Sequence, residues 1–537
     1  MAEGTPDNVA AASVPAANPA GKAGIVESVE LGPKVTLLLE HDALVVHDRS
    51  SNKSRRTSCP PMGHSHTNTR SIPLYNILWA ELTPDSQTLT VDYAHEAKST
   101  KLRAAQLSLP VPATASVPQM TTFLATLLSR SYGRARQRKR AYVIINPNAG
   151  PGEADKLFER EARPILEAAR MPLTVVTTTH RGHAAELARD LDLGAYDVVV
   201  ACSGDGLPHE VFNGLGSRPD ARAALGGMPV VMLPCGSGNA MACNLFGTHR
   251  PSLAALAIVK GVDTPFDLVS VTQEGSGRKL SFLSQSLGLI ADLDITTEHM
   301  RFMGSTRFTV GFAWLVWKKN LYPCDLAVKV EIDHKDAVRE HYRSRVEGGD
   351  GENGESGEAA PKSDRESDAT RTATPGHDED GGLPPLRYGT VQDKIPEGWE
   401  IIKHEKLWSF YCGNMAYMSP GLDFFPAAMA NDGLMDMVIV DGPVSAMKAI
   451  EIQLGVESGQ YFDHPLVKYR KVSAYRLIPR VEDPNGIISI DGEKADFKAF
   501  QAEIHPALGR TLSKVGGYEN PGPKHWDKVA NYERLLA

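Results

Sequence analysis

Three glycine-rich turns in the middle of the chain carry most of its candidate chemical groups. They lie at residues 146–152, 203–210 and 234–240, and each follows a short apolar segment. Glycines in such turns let backbone N–H groups approach an anion, and a following helix N-terminus adds a favourable dipole. Three such turns at one edge of a sheet predict a polyphosphate ligand.

Asp205 lies between two glycines in the second of these turns. A carboxylate beside phosphate-binding backbone would bind Mg²⁺ or accept a proton from an attacking hydroxyl. Phosphoryl transfer needs both charge neutralisation and a positioned acceptor. The alternative is that Asp205 caps the helix that follows it. The local residues alone favour neither interpretation.

Other chemical signatures are absent from the sequence. It contains no G-x-x-x-x-G-K-[ST] loop, no G-x-G-x-x-G after the first apolar strand of this region and no protein-kinase set. The six cysteines form no Cys-x-x-Cys pair, which predicts free thiols rather than a structural zinc site or a disulfide framework.

Alternating strands and helices are predicted to position the turns. Residues 140–265 contain the apolar segments AYVIIN, LTVVTTT, YDVVVAC and MPVVMLP, each followed by a helical stretch. Continuous apolar strands indicate a parallel sheet covered on both faces, and ligands bind beyond the carboxyl ends of such strands. Strands dominate residues 266–515, which predicts a β-sandwich as a second lobe.

The N-terminal part is predicted to form a separate small unit. Residues 1–24 are rich in Ala, Pro and Gly, lack the pattern of a secretory signal and are predicted to be a disordered tail. Residues 25–135 contain short alternating runs and end in a helix over 117–132. This pattern predicts a β-rich module similar to a pleckstrin homology domain. The basic run 134–140 is interpreted either as a contact to anionic lipid or phosphate, or as a solvated linker.

Acidic residues are concentrated in segment 347–382. It holds 11 acidic and three basic residues, which accounts for the whole net charge of −8. Because the segment contains no large apolar side chain, we expect a disordered insertion. No run of about 18 apolar residues occurs, so a membrane-spanning helix is not expected.

Four ordered blocks resemble the diacylglycerol-kinase-type catalytic domain, and most closely its sphingosine kinase branch. They are SGDGLPHEVFNGL with its two flanking turns, LGLIADLDITTEHMRFMGSTRF at 287–308, DGLMD at 432–436 and DGE at 491–493. The resemblance covers about residues 140–510. It implies an α/β nucleotide-binding lobe, a β-sandwich lipid-binding lobe and ATP in the cleft between them.

The resemblance also implies roles for individual residues. Asp205 is expected to be the catalytic base, while Arg301 and Arg307 neutralise phosphate charge. Residues 491–493 are expected to close the nucleotide site, with Mg²⁺ as a candidate bridge. The full nucleotide-binding set is Asn146, Pro147, Asn148, Thr178, Thr179, His180, Arg181, Gly182, Ser203, Glu210, Gly236, Ser237, Gly238, Arg301, Arg307, Asp491, Gly492 and Glu493.

Asp294 is expected by the same resemblance to recognise the lipid. A sphingoid base carries a cationic amine that ceramide and diacylglycerol lack, and a desolvated carboxylate would select it. The alternative is a structural Asp in a turn. The other expected lipid contacts, which would equally suit a plain core, are Ser284, Leu289, Ile290, Leu293, Phe302 and Phe308.

The predicted function is transfer of the ATP γ-phosphate to the primary hydroxyl of a sphingoid long-chain base: sphingosine, dihydrosphingosine or phytosphingosine. We expect a cytoplasmic enzyme that binds intracellular or plasma membranes peripherally, uses ATP and Mg²⁺, and has no nucleic-acid partner. One alternative is a diacylglycerol or ceramide kinase, against which Asp294 argues. The other is an inactive lipid-binding scaffold, against which the retention of Asp205 and residues 491–493 argues. Acylation of Cys59 is a further hypothesis.

Overall fold

A computed structural model describes residues 24–49, 68–97, 101–296, 311–312, 314–316, 318, 320–349 and 381–528. Several predictions concern residues outside these ranges. They are the predicted tail up to residue 23, Cys59, residues 350–380 of the predicted acidic insertion, and Arg301, Phe302, Arg307 and Phe308.

In its described residues, the N-terminal module contains seven strands in two sheets, one α-helix and a short 3-10 helix at Leu74–Asn76. The first sheet has four antiparallel strands in sequence order and the second has three. Their bounds are β1 (Glu27–Leu31), β2 (Val35–Leu39), β3 (Ala43–Asp48), β4 (Asn68–Pro73), β5 (Ile77–Leu82), β6 (Thr88–Ala97), β7 (Lys101–Pro110) and α1 (Val117–Tyr132). The similarity to a pleckstrin homology domain stays a prediction.

The helix predicted over 117–132 is confirmed. Ser116 caps it by accepting the backbone N–H of Gln119, which satisfies one of the unpaired donors of the first turn. The helix buries its apolar face, Met120, Phe123, Leu124 and Leu127, against the strands. A helix with one buried face is what the spacing of these residues predicts.

The α/β lobe contains the predicted parallel sheet. Its four strands run parallel in the order β11-β10-β8-β9. The strands are β8 (Ala141–Ile145), β9 (Leu173–Thr177), β10 (Val198–Ser203) and β11 (Val230–Pro234). The helices are α2 (Ala154–Leu157), α3 (Arg163–Ala168), α4 (His183–Arg189), α5 (Gly206–Gly216), α6 (Ala221–Gly227), α7 (Ala240–Phe246) and α8 (Pro251–Lys260). Every residue of β8, β10 and β11 is buried, in agreement with their continuous apolar sequences.

The basic run 134–140 joins the N-terminal module to this lobe. Lys139 is buried and donates to the carbonyls of Ile258 and Val259 at the end of α8. Arg136 and Arg140 both form ion pairs with Asp197. The run is therefore partly engaged by the fold, since Lys139 is buried, whereas Arg134, Arg136 and Arg138 remain exposed.

The second lobe is built on one antiparallel sheet of 11 strands. The main path is β13-β12-β24-β21-β20-β17-β14-β22-β23, and β15 pairs with both β16 and β21. The bounds are β12 (Val262–Gln273), β13 (Lys279–Ser281), β14 (Ser284–Gly288), β15 (Cys324–Ile332), β16 (Glu400–His404), β17 (Leu407–Gly413), β20 (Met435–Asp441), β21 (Lys468–Pro479), β22 (Ile488–Ile490), β23 (Glu493–Ala495) and β24 (Phe500–Ser513). The predicted β-rich lobe is confirmed, and its described strands pair into one sheet, while its packing as a sandwich stays a prediction.

The described residues of this lobe also include a short hairpin and three helices with defined bounds, besides helical residues between 311 and 318 and a 3-10 helix at Trp526–Lys528. The hairpin is β18 (Tyr417–Ser419) with β19 (Leu422–Asp423), and the helices are α9 (Leu289–Thr296), α10 (Lys335–Gly349) and α11 (Ala446–Ser458). Helix α10 includes the first three residues of the predicted disordered insertion. Strand β12 crosses the predicted domain boundary at residue 265 and pairs with β24 along nearly its whole length. In the described part of the chain, no helix combines the length and apolarity needed to span a bilayer.

Candidate functional site

A cavity of about 1320 Å³ lies where the carboxyl edge of the parallel sheet meets the second lobe. The three glycine-rich turns form one wall, and residues from β14, α9, β17, the β18–β19 hairpin and α11 form the others. Sites for one small molecule commonly enclose roughly 300–1,000 Å³. The volume therefore suits two substrates, such as a nucleotide together with a lipid headgroup.

The turns pack against one another through bare backbone. A Cβ atom added to Gly204 would lie 2.6 Å from the carbonyl oxygen of Gly238, and one on Gly236 would lie 2.4 Å from the backbone nitrogen of Gly204. Only glycine permits such an approach. Gly150 of the first turn has a positive φ of 57° and faces the Cys235 carbonyl equally closely. The three predicted turns thus form one continuous backbone surface.

Asp205 lies half-buried at the centre of this surface and lines the cavity. Its carboxylate accepts the backbone N–H groups of Ala240 and Met241, each at 2.9 Å, so it caps α7. It makes no capping bond to α5, the helix that directly follows it. Burial, reinforced by the nearby carboxylates of Asp491 and Asp294, raises the pKa of Asp205 to about 6. Such a carboxylate is ionised at neutral pH and is a stronger proton acceptor than an ordinary aspartate.

Glu210 positions the loop at residues 178–182. Its two carboxylate oxygens accept the backbone N–H groups of Gly182 and Ala184 at 3.1 and 3.2 Å. Thr178, Thr179, His180 and Arg181 line the cavity as a result, together with Glu210 itself. The geometry therefore indicates that Glu210 holds this loop through its N–H groups.

Asp491 is a buried anchor. Its carboxylate accepts hydrogen bonds from Ser281 at 2.5 Å, from the three backbone N–H groups of residues 282–284 at 2.9–3.0 Å and from His209 Nδ1 at 2.8 Å. Burial alone would raise the pKa of Asp491, but the bonds from His209 and its other donors hold it below its usual value. With five donors on two oxygens, the carboxylate has little capacity left for Mg²⁺, so direct closure of the nucleotide site by this side chain is not supported.

Replacing Asp491 with Asn is expected to lower the free energy of unfolding by about 2–3 kcal/mol, because an amide group would then face buried donors. The measurement is the midpoint of thermal unfolding at pH 7. Since the folded pKa is lowered, the advantage of the wild-type protein is present at neutral pH and is lost as the pH falls through that value. Asp496→Asn, an exposed site in the same region, is the control. Equal stability of the two variants would contradict an anchoring role.

Glu493 and Arg181 connect the two lobes across the cavity. They form an ion pair between the turn at 491–493 and the loop at 178–182, and both line the cavity. A Cβ on Gly206 would lie 3.5 Å from Glu493 Oε1, so this carboxylate is adjacent to the second glycine-rich turn. These contacts bring together the residues expected to surround a nucleotide.

Helix α9 presents its polar and apolar residues to the same cavity. Asp294 lines the wall with Ile290 and Leu293, because positions three and four apart share one face of a helix. Asp294 Oδ2 accepts the hydroxyl of Ser489 at 2.9 Å. A Cβ on Gly492 would lie 3.7 Å from the same oxygen. Leu289 is an exception to the prediction, since it packs in the core rather than in the cavity wall.

Part of the apolar wall was missed by sequence reasoning. It comprises Leu283, Tyr411, Met418, Leu422 and Phe424. Tyr411 is fully enclosed, and burial raises its pKa well above the usual value, so its hydroxyl stays protonated. Three of these residues lie in strands, while Leu283 and Phe424 lie beside strand ends, and apolar sequences of this kind do not distinguish a cavity wall from a core. Only the fold brings them to the site.

The remaining predicted residues divide into three groups. Asn146, Asn148, Ser203, Gly236, Ser237 and Gly238 line the cavity as expected, and so does Ser284. Pro147 and Gly182 adjoin wall residues but are not part of the wall. Four predicted residues lie outside the described part of the chain: Arg301, Phe302, Arg307 and Phe308.

The chain is similar to two protein families and to solved structures. A profile of the diacylglycerol kinase catalytic domain matches residues 140–271, and a domain of unknown function, DUF7493, matches residues 27–133. A putative diacylglycerol kinase from Bacillus anthracis str. Sterne superposes with a TM-score of 0.46 at 15% identity, covering 71% of this chain and 98% of that one.

Three characterised relatives are similar over most of the chain. Sphingoid long chain base kinase 5 of Saccharomyces cerevisiae is 37% identical over 73% of this chain, but the match spans only 62% of the yeast protein. Sphingoid long chain base kinase 4 of Schizosaccharomyces pombe is 32% identical, covering 84% of this chain and 89% of that protein. Sphingosine kinase 1 of Homo sapiens is 30% identical, covering 68% and 89%.

Proposed function

The chain belongs to the sphingosine kinase family, whose members are also named sphingoid long chain base kinases, and we propose that it transfers the γ-phosphate of ATP to the primary hydroxyl of a sphingoid long-chain base. One observation carries the proposal. A half-buried carboxylate with a raised pKa, Asp205, shares a cavity with a second carboxylate, Asp294, and with three glycine-rich turns. These elements supply a base, an amine contact and a phosphate-binding surface.

Asp205 acts as the general base in this proposal. It takes the proton of the lipid hydroxyl while that oxygen attacks the γ-phosphorus. The bond from phosphorus to the oxygen bridging the β- and γ-phosphates breaks, and ADP leaves with the electron pair. Because the transferred phosphoryl group carries much negative charge, backbone N–H groups in the three turns are proposed to hold the phosphates.

The nucleotide side of the cavity is assigned to three elements. Asn146 and Asn148 of the first turn, loop residues 178–181 and residues 236–238 are proposed to contact ATP. Mg²⁺ usually binds through phosphate oxygens and one or two carboxylates, and Glu493, next to the second turn, fits that use. When bound, the ion neutralises phosphate charge. Arg301 and Arg307 are proposed to add cationic contacts.

Asp294 distinguishes a free base from an acylated one. A carboxylate in a largely enclosed cavity stabilises a cationic amine, whereas the neutral amide of ceramide leaves that carboxylate without its counter-charge. This residue disfavours the alternative of a ceramide or diacylglycerol kinase. The raised pKa of Asp205 disfavours the scaffold alternative, because a lipid-binding protein has no use for a half-buried proton acceptor. We further propose that the enzyme works in the cytoplasm and binds membranes peripherally.

The pH dependence of kcat is expected to report the ionisation of Asp205. The base must be deprotonated, so kcat should fall about tenfold per pH unit below pH 6 and level off above it. Initial rates with saturating substrates between pH 4.5 and 8 measure this profile. Pre-incubation at each pH followed by assay at pH 7 controls for denaturation. A rate that is independent of pH between 4.5 and 7 would contradict proton transfer to Asp205.

The experiment that tests the proposed function is phosphate transfer from γ-labelled MgATP to four lipids supplied separately. Dihydrosphingosine and phytosphingosine should be converted to 1-phosphates, as identified by mass spectrometry, whereas ceramide and diacylglycerol should not react. Transfer to diacylglycerol or ceramide in preference to the free bases would assign the enzyme to another branch. Nucleotide binding without any transfer would support the scaffold alternative.

A further inference from the structure

Helix α11 carries an exposed apolar face. Met447, Ile450 and Leu454 have 80, 53 and 58% of their surface exposed. Their spacing of three and four residues puts them on one side of the helix. Side chains of this size are usually buried, and three together on one helix indicate a surface that meets another apolar body.

The opposite face fixes α11 to the protein. Ala449, Ile452 and Val456 are buried and belong to the apolar core of the second lobe. The helix begins with a cap, since Ser445 accepts the backbone N–H of Lys448. The exposed face is therefore held rigidly in place by a packed helix.

The exposed face borders the substrate cavity. Gln453 and Glu457, on the same helix, line that cavity while remaining partly exposed, so they mark its mouth. Ile450 precedes Gln453 by three residues and Leu454 precedes Glu457 by three, which makes each pair neighbours on the helix surface. The apolar surface thus continues directly from the opening of the cavity.

One pair of opposite charges lies beside the apolar face of α11. Lys448 and Glu451 form an ion pair at 2.6 Å. By helical geometry they lie across the apolar face from Gln453 and Glu457. On the far lip of the cavity, Pro420 and Gly421 at the hairpin tip are exposed and also line it. An apolar strip, bordered on its cavity side by Gln453 and the carboxylate of Glu457, therefore runs along the mouth.

We propose that Met447, Ile450 and Leu454 dock α11 onto a lipid bilayer, so that the cavity mouth opens at the surface from which the substrate is taken. The inference rests on the proposed function, because a long-chain base is dissolved in membranes. A bilayer is the partner that this strip fits, because the strip is continuous with a cavity that is proposed to accept a lipid. Apolar side chains that leave water for the bilayer interface stabilise such docking in proportion to their buried area.

Vesicle binding tests the proposal directly. The variant carries Met447→Gln, Ile450→Gln and Leu454→Gln, which keep helix propensity and net charge unchanged. Its matched control carries Ile401→Gln, Val481→Gln and Val515→Gln, at positions exposed by 58, 52 and 59% and absent from the cavity wall. In co-sedimentation with phosphatidylcholine vesicles, the α11 variant should bind at least about tenfold more weakly than the wild type, and the control should bind equally. Unchanged binding of the α11 variant would overturn the proposal.

Kinetics separates this proposal from the proposed function. With a short-chain, water-soluble sphingoid base, the wild type and the α11 variant should have the same kcat and KM. With a vesicle-embedded base, only the α11 variant should lose turnover at low lipid concentration. If the wild type failed to phosphorylate the soluble base, the proposed function would fail while the vesicle-binding result stood. If the variant changed the oligomeric state of the protein in gel filtration, the face would be an interface between copies and the proposal would be overturned.

Discussion

Replacement of Asp205 by Asn is expected to lower kcat by about 10²- to 10⁴-fold. An amide cannot accept the proton of the attacking hydroxyl, so the asparagine cannot replace the aspartate as a base. Single-turnover transfer from labelled ATP to dihydrosphingosine is the measurement, because it separates the chemical step from product release. The raised pKa of Asp205 makes this loss larger than that for an exposed carboxylate, which is a weaker base.

The capping role of Asp205 requires a control for structure. The carboxylate accepts two N–H groups of α7, so the Asn variant loses one of these bonds. ATP binding and the midpoint of thermal unfolding should nevertheless stay close to the wild-type values. Asp220→Asn, at a half-exposed partner of Arg218, should retain full activity. An Asp205→Asn variant that turned over at more than a tenth of the wild-type rate would remove the residue from the catalytic role.

Replacement of Asp294 by Asn is expected to lower kcat/KM for dihydrosphingosine by about 100-fold or more, with the KM for ATP unchanged. The amide keeps the size of the side chain and one oxygen for Ser489, but it removes the charge that faces the cationic amine. The loss should therefore be concentrated in recognition of the base. Steady-state kinetics with each substrate varied in turn measures it.

Asp292 provides the matched control on the same helix. Its carboxylate accepts the Tyr322 hydroxyl at 2.5 Å and does not line the cavity. Asp292→Asn should therefore change kcat/KM for the base far less than Asp294→Asn does. Equal losses in the two variants would indicate a general disturbance of α9. Full turnover by Asp294→Asn would contradict amine recognition.

The sequence allowed prediction of the parts of the fold that depend on local pattern. Continuous apolar strands predict the parallel sheet, and the spacing from Met120 to Leu127 predicts α1. The three turns come together because each follows a strand of the same parallel sheet. Their glycines are consistent with this contact, because the packed turns leave no space for a side chain at Gly204 or Gly236.

Long-range pairing could not be predicted in the same way. An antiparallel strand has the same alternation whichever strand it pairs with, so the pairing of the 11 described strands of the second lobe into one sheet could not be predicted. The partners of Lys139 lie about 120 residues away in the chain. For that reason the sequence could not show that the fold buries this one cation of the basic run.

In the candidate site, the sequence likewise does not reveal the hydrogen-bond partners of single residues. A carboxylate in a conspicuous motif does not reveal whether it is available or already satisfied. Asp205 retains the character of a proton acceptor, whereas Asp491 is saturated by donors from residues 281–284 and His209. Glu210 likewise holds the loop at 178–182. These distinctions depend on hydrogen bonds between residues far apart in sequence.

The measurement that tests the central claim most directly is a competition between dihydrosphingosine and its N-acetyl derivative in the same vesicles, with MgATP as phosphate donor. The two lipids share both hydroxyls and the chain, and they differ in the charge of the nitrogen. We predict that phosphate is transferred to the primary hydroxyl of the free base with a kcat/KM at least about 100-fold higher than for the acetylated one. Equal transfer to both, or preference for the acetylated lipid, would contradict the assignment of a sphingoid base kinase.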